Sequence, residues 1–253
     1  MDNEVQKQRL DKTLVTRGLV ASRERAKTLI KHGSVLISGT AVKEPSYEVG
    51  SDEEITLTEQ DIPWVSRSGV KLAHALTLWG IDPKGFVCID IGASTGGFSE
   101  VLLTHGAKKV YAIDVGHGQL HEKLRNDERI VNMEGMHVNM MDGTEIGEQA
   151  DLVVVDVSFI SLTKVLGRAK MFMKQGGRII ALVKPQFEVG REAINKGIVK
   201  DKKLRAKALE NVKQFAVAAG LAVKNETASP IKGGDGNEEY LLLLSAVGAK
   251  TSD

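Results

Sequence analysis

Chemistry in this sequence concentrates where apolar runs end. Phe86-Val87-Cys88-Ile89 leads into Asp90-Ile91-Gly92-Ala93-Ser94-Thr95-Gly96-Gly97-Phe98-Ser99-Glu100. The run is short enough for a buried strand, and Val101-Leu102-Leu103 beyond the glycines supplies the apolar face of a helix. Strand, glycine-rich turn and helix start together cradle a small molecule, because glycine lets a ligand approach the backbone and a first helical turn carries unpaired N–H groups. The spacing breaks the G-x-G-x-x-G dinucleotide fingerprint, and the Lys-Ser/Thr pair of a phosphate-binding loop is missing. What remains is the pattern of an S-adenosyl-L-methionine site, with Asp90, Gly92, Ala93, Ser94, Thr95, Gly96, Gly97 and Phe98 as its candidate residues. The plain alternative is a glycine turn that only joins strand to helix.

Other charged residues close apolar runs further on. Asp114 ends the second run, about twenty residues past the turn, where an acid can accept hydrogen bonds from ribose hydroxyls. Asp156 follows Leu152-Val153-Val154-Val155, and Lys184 follows Ile179-Ile180-Ala181-Leu182-Val183. Ligands bind at strand ends in open α/β sheets, so Asp156 is a candidate for cofactor contact as well as for catalysis. An acid and a lysine capping two buried strands point to function, with a structural ion pair as the alternative. Lys71 stands near the start of a helix expected from about Val70 to Trp79, against the preference of the helix macrodipole. An ordinary exposed lysine is its alternative reading.

The elements that must position these groups alternate. From Phe86 the sequence predicts strands at 86–91, 109–114, 129–133, 151–156 and 178–184, and helices after Gly97 and near 120–126, 161–173 and 202–219. Such alternation demands a parallel sheet with helices on both faces. The chain ends differently, because Leu221 to Ala228 and Glu239 to Ala246 are both strand-like with no helix between them. The last strand should therefore enter antiparallel, as a hairpin. The expected fold class is α/β, a doubly wound, mostly parallel, seven-stranded class I methyltransferase sheet with one antiparallel strand, preceded by a small α+β domain.

In that first domain, Leu10, Leu14, Val15, Leu19 and Val20, then Ala26, Leu29 and Ile30, have helical spacing, with Ser22 as an N-cap and Gly33 as a stop. Ser34 to Ser38 and Glu54 to Thr58 read as strands, with a turn at Gly39. Arg9-Leu10-Asp11, Gly18, Ser22-Arg23, Ala26, Ile30, Gly33-Ser34-Val35, Pro45-Ser46 and Val49 resemble the S4 RNA-binding domain over roughly Gln8 to Leu57. The resemblance implies that the helix pair carrying Arg17, Arg23, Arg25, Lys27 and Lys31 faces RNA, with cationic groups on phosphates. Aromatic residues are sparse there, so base stacking is not indicated, and affinity should be salt-sensitive. Glu59-Gln60-Asp61-Ile62-Pro63 is polar and proline-punctuated, which sets domains at 1–59 and 66–253 with a linker over 60–65.

Charge is distributed unevenly. The net +1 excludes a globally basic nucleic-acid coat, yet Lys7 to Lys31 holds eight Lys/Arg against Asp11 and Glu24, and Arg168 to Lys207 holds twelve against Glu188, Glu192 and Asp201. Glu44 to Asp61, between them, has seven acids and no base. Two basic stretches separated by an acidic one suggest local contact with a polyanion, the alternative being solvated helix surface. The single cysteine, Cys88, can form no internal disulfide and leaves no zinc cluster. No charged-then-apolar leader opens the sequence and no apolar run approaches the length needed to span a bilayer. The expectation is a cytoplasmic protein with neither membrane nor metal as partner.

The turn Gly233-Gly234-Asp235-Gly236-Asn237-Glu238-Glu239-Tyr240 leads into the last strand. Taken with Lys71, Asp156 and Lys184, Glu239 completes an order Lys, Asp, Lys, Glu that resembles the tetrad of RNA ribose 2′-O-methyltransferases. With the S4-like segment and the turn Asp90 to Gly97, the chain from about Gln8 to Ser245 resembles the hemolysin A (TlyA) family of ribosomal RNA 2′-O-methyltransferases, whose catalytic domain is FtsJ-like. The resemblance implies an S-adenosyl-L-methionine-dependent enzyme acting on ribosomal RNA or ribosomal subunits, with a cytidine ribose as acceptor. A sulfonium methyl is already activated, so the protein must align a sugar hydroxyl and remove its proton. A lysine does this only as a neutral amine, a form favoured by burial and by neighbouring positive charge. Lys184 is assigned as general base, Lys71 as the neighbour that perturbs it or positions the ribose, and Asp156 and Glu239 as orienting carboxylates. Two other readings compete. A membrane-lytic protein would need a spanning segment or a repeated amphipathic β pattern, and the sequence has neither. Against a non-catalytic RNA-binding or ribosome-assembly factor stands the presence of all four tetrad positions.

Overall fold

The computed structural model describes residues 7–20, 22–31, 33–58, 62–190, 192, 194–234 and 236–247. Glu59 at the end of the expected first domain, Gln60 and Asp61 of the expected linker and Asp235 of the last turn lie outside the described residues. The chain divides into two compact units, Met1–Pro63 and Trp64–Asp253.

The first unit comprises β1 (Gln8–Arg9), α1 (Leu10–Thr16), α2 (Arg23–Lys31), β2 (Val35–Ile37), β3 (Thr40–Ala41), β4 (Glu48–Val49) and β5 (Ile55–Leu57). The strands form an antiparallel sheet β3-β2-β5 and a small pair β1-β4. The helical spacing closes a core in which Leu10, Leu14, Ala26, Ile30 and Val35 are fully enclosed. Ser22 caps α2, its Oγ accepting the Arg25 N–H at 3.3 Å. Gly33, at φ +76°, stops the helix: its N–H donates to Ile30 and the next N–H, of Ser34, to Leu29, the paired bonds of a Schellman end.

The second unit runs α3 (Ser68–Leu78), β6 (Val87–Ile91), α4 (Gly97–Thr104), β7 (Lys109–Asp114), α5 (Glu122–Arg125), β8 (Ile130–Glu134), β9 (Ala150–Val155), α6 (Leu166–Met171), β10 (Met173–Val183), α7 (Lys202–Ala218), β11 (Leu221–Ala228) and β12 (Tyr240–Ala246). Its seven-stranded sheet has the order β11-β12-β10-β9-β6-β7-β8, with β12 antiparallel to both neighbours and the other pairs parallel. Helices cover both faces, so the central strands are apolar on both sides. Ile89, Ile91, Val153 and Val155 pack toward α6 and α7. Cys88, Leu152, Val154 and Leu182 pack toward α3 and α4.

From β6 the chain winds outward through β7 to β8, then crosses back to place β9 on the other side of β6. This reversal opens a crevice between the carboxyl ends of β6 and β9, where open α/β sheets bind ligands. Two elements differ from expectation. β10 begins at Met173, inside the stretch read as helix, because Gly176-Gly177 makes a register shift between Met173 and Arg178 rather than ending a loop. α5 is only four residues long. The Gln119 and Leu120 N–H groups are taken by the Glu134 carboxylate at 2.6 and 2.9 Å, so the helix starts beyond them, with His121 as its cap.

Candidate active site

The turn after β6 is shaped by close backbone approach. Gly92 has φ +86°, and a Cβ at this position would strike the Asp156 carbonyl. The ends of β6 and β9 thus meet there, joined by Asp156 N–H to Ile91 O at 2.9 Å. Ser94 is held at φ +47°, with its N–H on Asp114 Oδ2 at 2.8 Å, while Asp114 Oδ1 accepts the Gly116 N–H at 2.7 Å. Each Asp114 oxygen has one bond and keeps a second acceptor site. Gly96 begins α4 at φ +94° against Leu120 and Leu124, Gly97 packs on the Ser66 and Ser68 hydroxyls, and Phe98 is buried in the core. The candidate cofactor residues therefore divide: Gly92, Ala93, Ser94, Thr95, Asp114 and Asp156 face open space, while Gly96, Gly97 and Phe98 seat the helix.

Asp90 lies underneath. It is fully buried, Oδ2 accepts from Ser99 Oγ at 2.7 Å, and Oδ1 has no hydrogen-bond partner among the described residues. Burial pushes its carboxyl up to about 7, reinforced by the negative charges of Asp156 and Asp114.

Two cavities meet at the turn. One, of about 340 Å³, is walled by Ile91, Ile113, Val138 and Ile160, with Asp114 and Asp156 among its polar lining. The other, of about 310 Å³, is lined by Ser66, Arg67, Ser68, Lys71, Ala93, Thr95, Lys184 and Lys232. Gly92, Ser94, Asp156 and Ser158 border both. An apolar slot flanked by two carboxylates fits an adenosine carrying a cationic tail, and the bare backbone at Gly92 leaves room for its approach.

The four residues of the Lys-Asp-Lys-Glu set form two pairs at the second cavity. Lys71, 7% exposed in the first turn of α3, donates to Glu239 Oε2 at 2.5 Å. The partner explains how a lysine is tolerated there, since a buried carboxylate offsets the unfavourable end of the helix dipole. Lys184 Nζ lies 2.6 Å from Asp156 Oδ1, an ion-pair contact without hydrogen-bond alignment, and directs its bond to Ser158 Oγ at 2.8 Å. Lys71, Asp156 and Lys184 line the cavity and Glu239 stands behind Lys71. Of the two adjacent acids, Glu239 is 3% exposed, whereas Glu238 points outward to Arg205 at 2.8 Å.

In the first unit the basic residues have unequal freedom. Arg17 donates to the Glu53, Gly50 and Ser51 carbonyls at 2.7, 3.0 and 2.6 Å, which ties the end of α1 to the loop between β4 and β5. Arg23 pairs at 2.7 Å with the buried Asp11, whose carboxyl is held down to about 2 by hydrogen bonds from Arg9 and Arg23. Lys27 pairs with Glu24 at 2.9 Å, Arg25 is half-buried, and Lys31 is exposed in the last turn of α2. Arg23, Lys27 and Lys31, spaced by four, share one face of that helix.

Several lining residues had no sequence signal strong enough to single them out. Met136, His137 and Val138 come from a loop without periodicity. Ser158 is one short hydroxyl in a run of them. Ser66 and Ser68 could have been found, because serines just ahead of an apolar helix are ordinary helix-start residues. Among the described residues no helix is long and apolar enough to cross a membrane, and no group of three or more His, Cys, Asp or Glu could hold a metal ion.

The strand order, the glycine turn at the reversal point and the lysine–carboxylate pairs at its mouth define a class I methyltransferase with a separate small domain ahead of it. Residues 64–246 match the FtsJ-like methyltransferase family and residues 8–55 the S4 domain. The chain is 43% identical over 238 residues to the 16S/23S rRNA (cytidine-2′-O)-methyltransferase TlyA of Mycobacterium tuberculosis, covering 93% of this chain and 89% of that one. It is 42% identical over 238 residues to hemolysin A of Brachyspira hyodysenteriae, covering 92% and 98%. A solved structure of a hemolysin-type protein from Streptococcus thermophilus matches with a TM-score of 0.76 at 40% identity, over 97% of this chain and 90% of that one. The chain belongs to the FtsJ-like methyltransferase family, within the S4-bearing group that includes the hemolysin A and TlyA proteins.

Proposed function

We propose that this protein transfers the methyl group of S-adenosyl-L-methionine to a ribose 2′-hydroxyl of ribosomal RNA, with cytidine as the acceptor and the S4 domain docking the RNA. One observation carries the reading: a buried and a half-buried lysine–carboxylate pair meet the cavity that shares Gly92, Ser94 and Asp156 with the cofactor-sized slot. The names of the M. tuberculosis and related enzymes support the acceptor class. A ribosomal substrate also favours a cytoplasmic location.

The cofactor, when bound, supplies an electrophilic methyl on a sulfonium. Asp114, through its remaining lone pairs, and Asp156, through its negative charge, are the residues that would hold it, the first by accepting from ribose hydroxyls and the second by balancing a positive charge. The protein's remaining work is to hold an RNA ribose in line and remove a proton. Lys184 is the general base for the 2′-hydroxyl proton, with Asp156 at 2.6 Å orienting its amine. Lys71, fixed by Glu239, positions the ribose from the same cavity.

The test is transfer of labelled methyl from S-adenosyl-L-methionine to ribosomal subunits, followed by mapping of the modified nucleotide. Lys184→Ala should lower turnover by roughly 100-fold or more, the scale of a lost general base, with cofactor affinity retained. Near-normal turnover with cofactor bound would remove Lys184 as the base, and no incorporation into ribosomal RNA, free or assembled, would remove the reading as a whole.

A further inference from the structure

Asn237 stands two residues before Glu239 and takes no part in the transfer just described. It is 1% exposed, its amide donates to the Gly197 carbonyl at 2.8 Å, and its Oδ1 accepts the Val199 N–H at 3.0 Å. Its own carbonyl accepts the Gly233 N–H at 2.9 Å, which closes the turn over Glu239. A side chain at position 233 would strike Glu239 Oε1, so the backbone lies directly on that carboxylate.

The next residue is clamped to the same segment. Arg205, 6% exposed, donates to the Val199 and Lys200 carbonyls at 2.9 and 2.8 Å and pairs with Glu238 at 2.8 Å. Both residues ahead of Glu239 are thereby fastened to 197–200, the stretch leading into α7. A buried amide with donor and acceptor both engaged specifies one placement, which an apolar side chain of similar size does not.

We propose that Asn237 is a positioning residue of the methyl-transfer site. It locks residues 237–239 onto segment 197–200, so that Glu239 Oε2 stands 2.5 Å from Lys71 Nζ and keeps that amine at the acceptor cavity. The inference rests on the reading that Lys71 and Glu239 serve transfer. Asn237 itself lines neither cavity, so cofactor binding does not depend on it directly. A drift of Glu239 by about an ångström costs up to roughly 100-fold in rate when the group it holds must be aligned.

The experiment compares the full-length wild type, Asn237→Ala, Asn237→Ser, Glu239→Gln and the double variant Asn237→Ala/Glu239→Gln, using methyl incorporation into ribosomal subunits and calorimetric cofactor affinity. Asn237→Ala should lower kcat roughly 10- to 100-fold while KM for the RNA and Kd for the cofactor stay within about twofold. The serine variant, which keeps an acceptor for the Val199 N–H, should fall between it and wild type. The double variant should be no slower than Glu239→Gln alone, because the two residues act through one arrangement. Unchanged kcat in Asn237→Ala, additive losses in the double variant, or cofactor affinity falling in step with kcat in both Asn237 variants overturns the proposal. If Glu239→Gln itself turns over at the wild-type rate, the tetrad reading falls and takes this inference with it. A slow Glu239→Gln beside a normal Asn237→Ala removes the inference alone.

Discussion

Asp90 is a carboxyl that folding makes expensive to ionise. Ser99 bonds one of its oxygens, no described residue bonds the other, and burial raises it to about 7 from an ordinary value near 4. The folded chain therefore holds this proton more tightly than the unfolded chain. Its contribution to stability is complete below about pH 4 and is lost as pH rises through about 7. Asp11 and Glu134 act in the opposite sense. Hydrogen bonds hold both near 2, so their contribution is present above the ordinary carboxylate range and disappears as pH falls through about 2. Asp90→Asn preserves the shape and the acceptor for Ser99 Oγ but abolishes the titration. Thermal unfolding between about pH 4 and 8 should show a decline for wild type that Asp90→Asn lacks, with the acid limb shared by both. Parallel curves would mean that Asp90 does not titrate over that range.

At the scale of elements, the site depends on how closely two strand ends approach. Gly92 permits that approach: at φ +86° a side chain is strained, and its Cβ would meet the Asp156 backbone, which cannot swing aside as a flexible side chain can. Gly92→Ala should weaken cofactor binding by at least about tenfold and cost on the order of 2–4 kcal/mol of stability, measured by calorimetry and denaturant unfolding. Retained cofactor affinity would show that the β6–β9 crevice is not where it binds. This crevice was largely legible in the sequence, because apolar runs ending in Gly92, Asp114, Asp156 and Lys184 reveal both the strands and the ends that border the two cavities. The antiparallel β12 was legible too, from two strand-like runs without a helix between them. Pairings across long separations were not: nothing local joins Lys71 to Glu239, and family resemblance alone brought them together. Asn237 was hidden among turn-forming glycines, where an asparagine ordinarily signals only a turn. The early start of β10 was hidden as well, since the glycines at 176 and 177 can mark a strand irregularity as readily as a loop.

At the scale of the whole molecule, a net charge of +1 means that attraction to RNA must come from local surfaces. Within the S4 domain the basic residues are unequal candidates. The Arg17 guanidinium is occupied by three backbone carbonyls, and Arg23 is anchored on the buried Asp11. Lys27 pairs with an exposed glutamate, and Lys31 is exposed one turn further along the same face of α2. These two lysines can reorient toward phosphate at little cost, since an exposed ion pair contributes at most about 1 kcal/mol. Each phosphate contact contributes about 0.7–0.9 to the slope of log affinity against log salt, so replacing both lysines by alanine should flatten that slope by about 1.4–1.8. Affinity for ribosomal RNA should fall most at low salt, where counterion release is worth most, and converge toward wild type as salt rises. Cofactor affinity and turnover at saturating RNA should be unchanged, because neither lysine lines the catalytic cavities. Binding titrations of wild type and Lys27→Ala/Lys31→Ala over a salt series decide the matter: an unaltered slope would take this face of α2 off the RNA and shift the electrostatic docking to another surface.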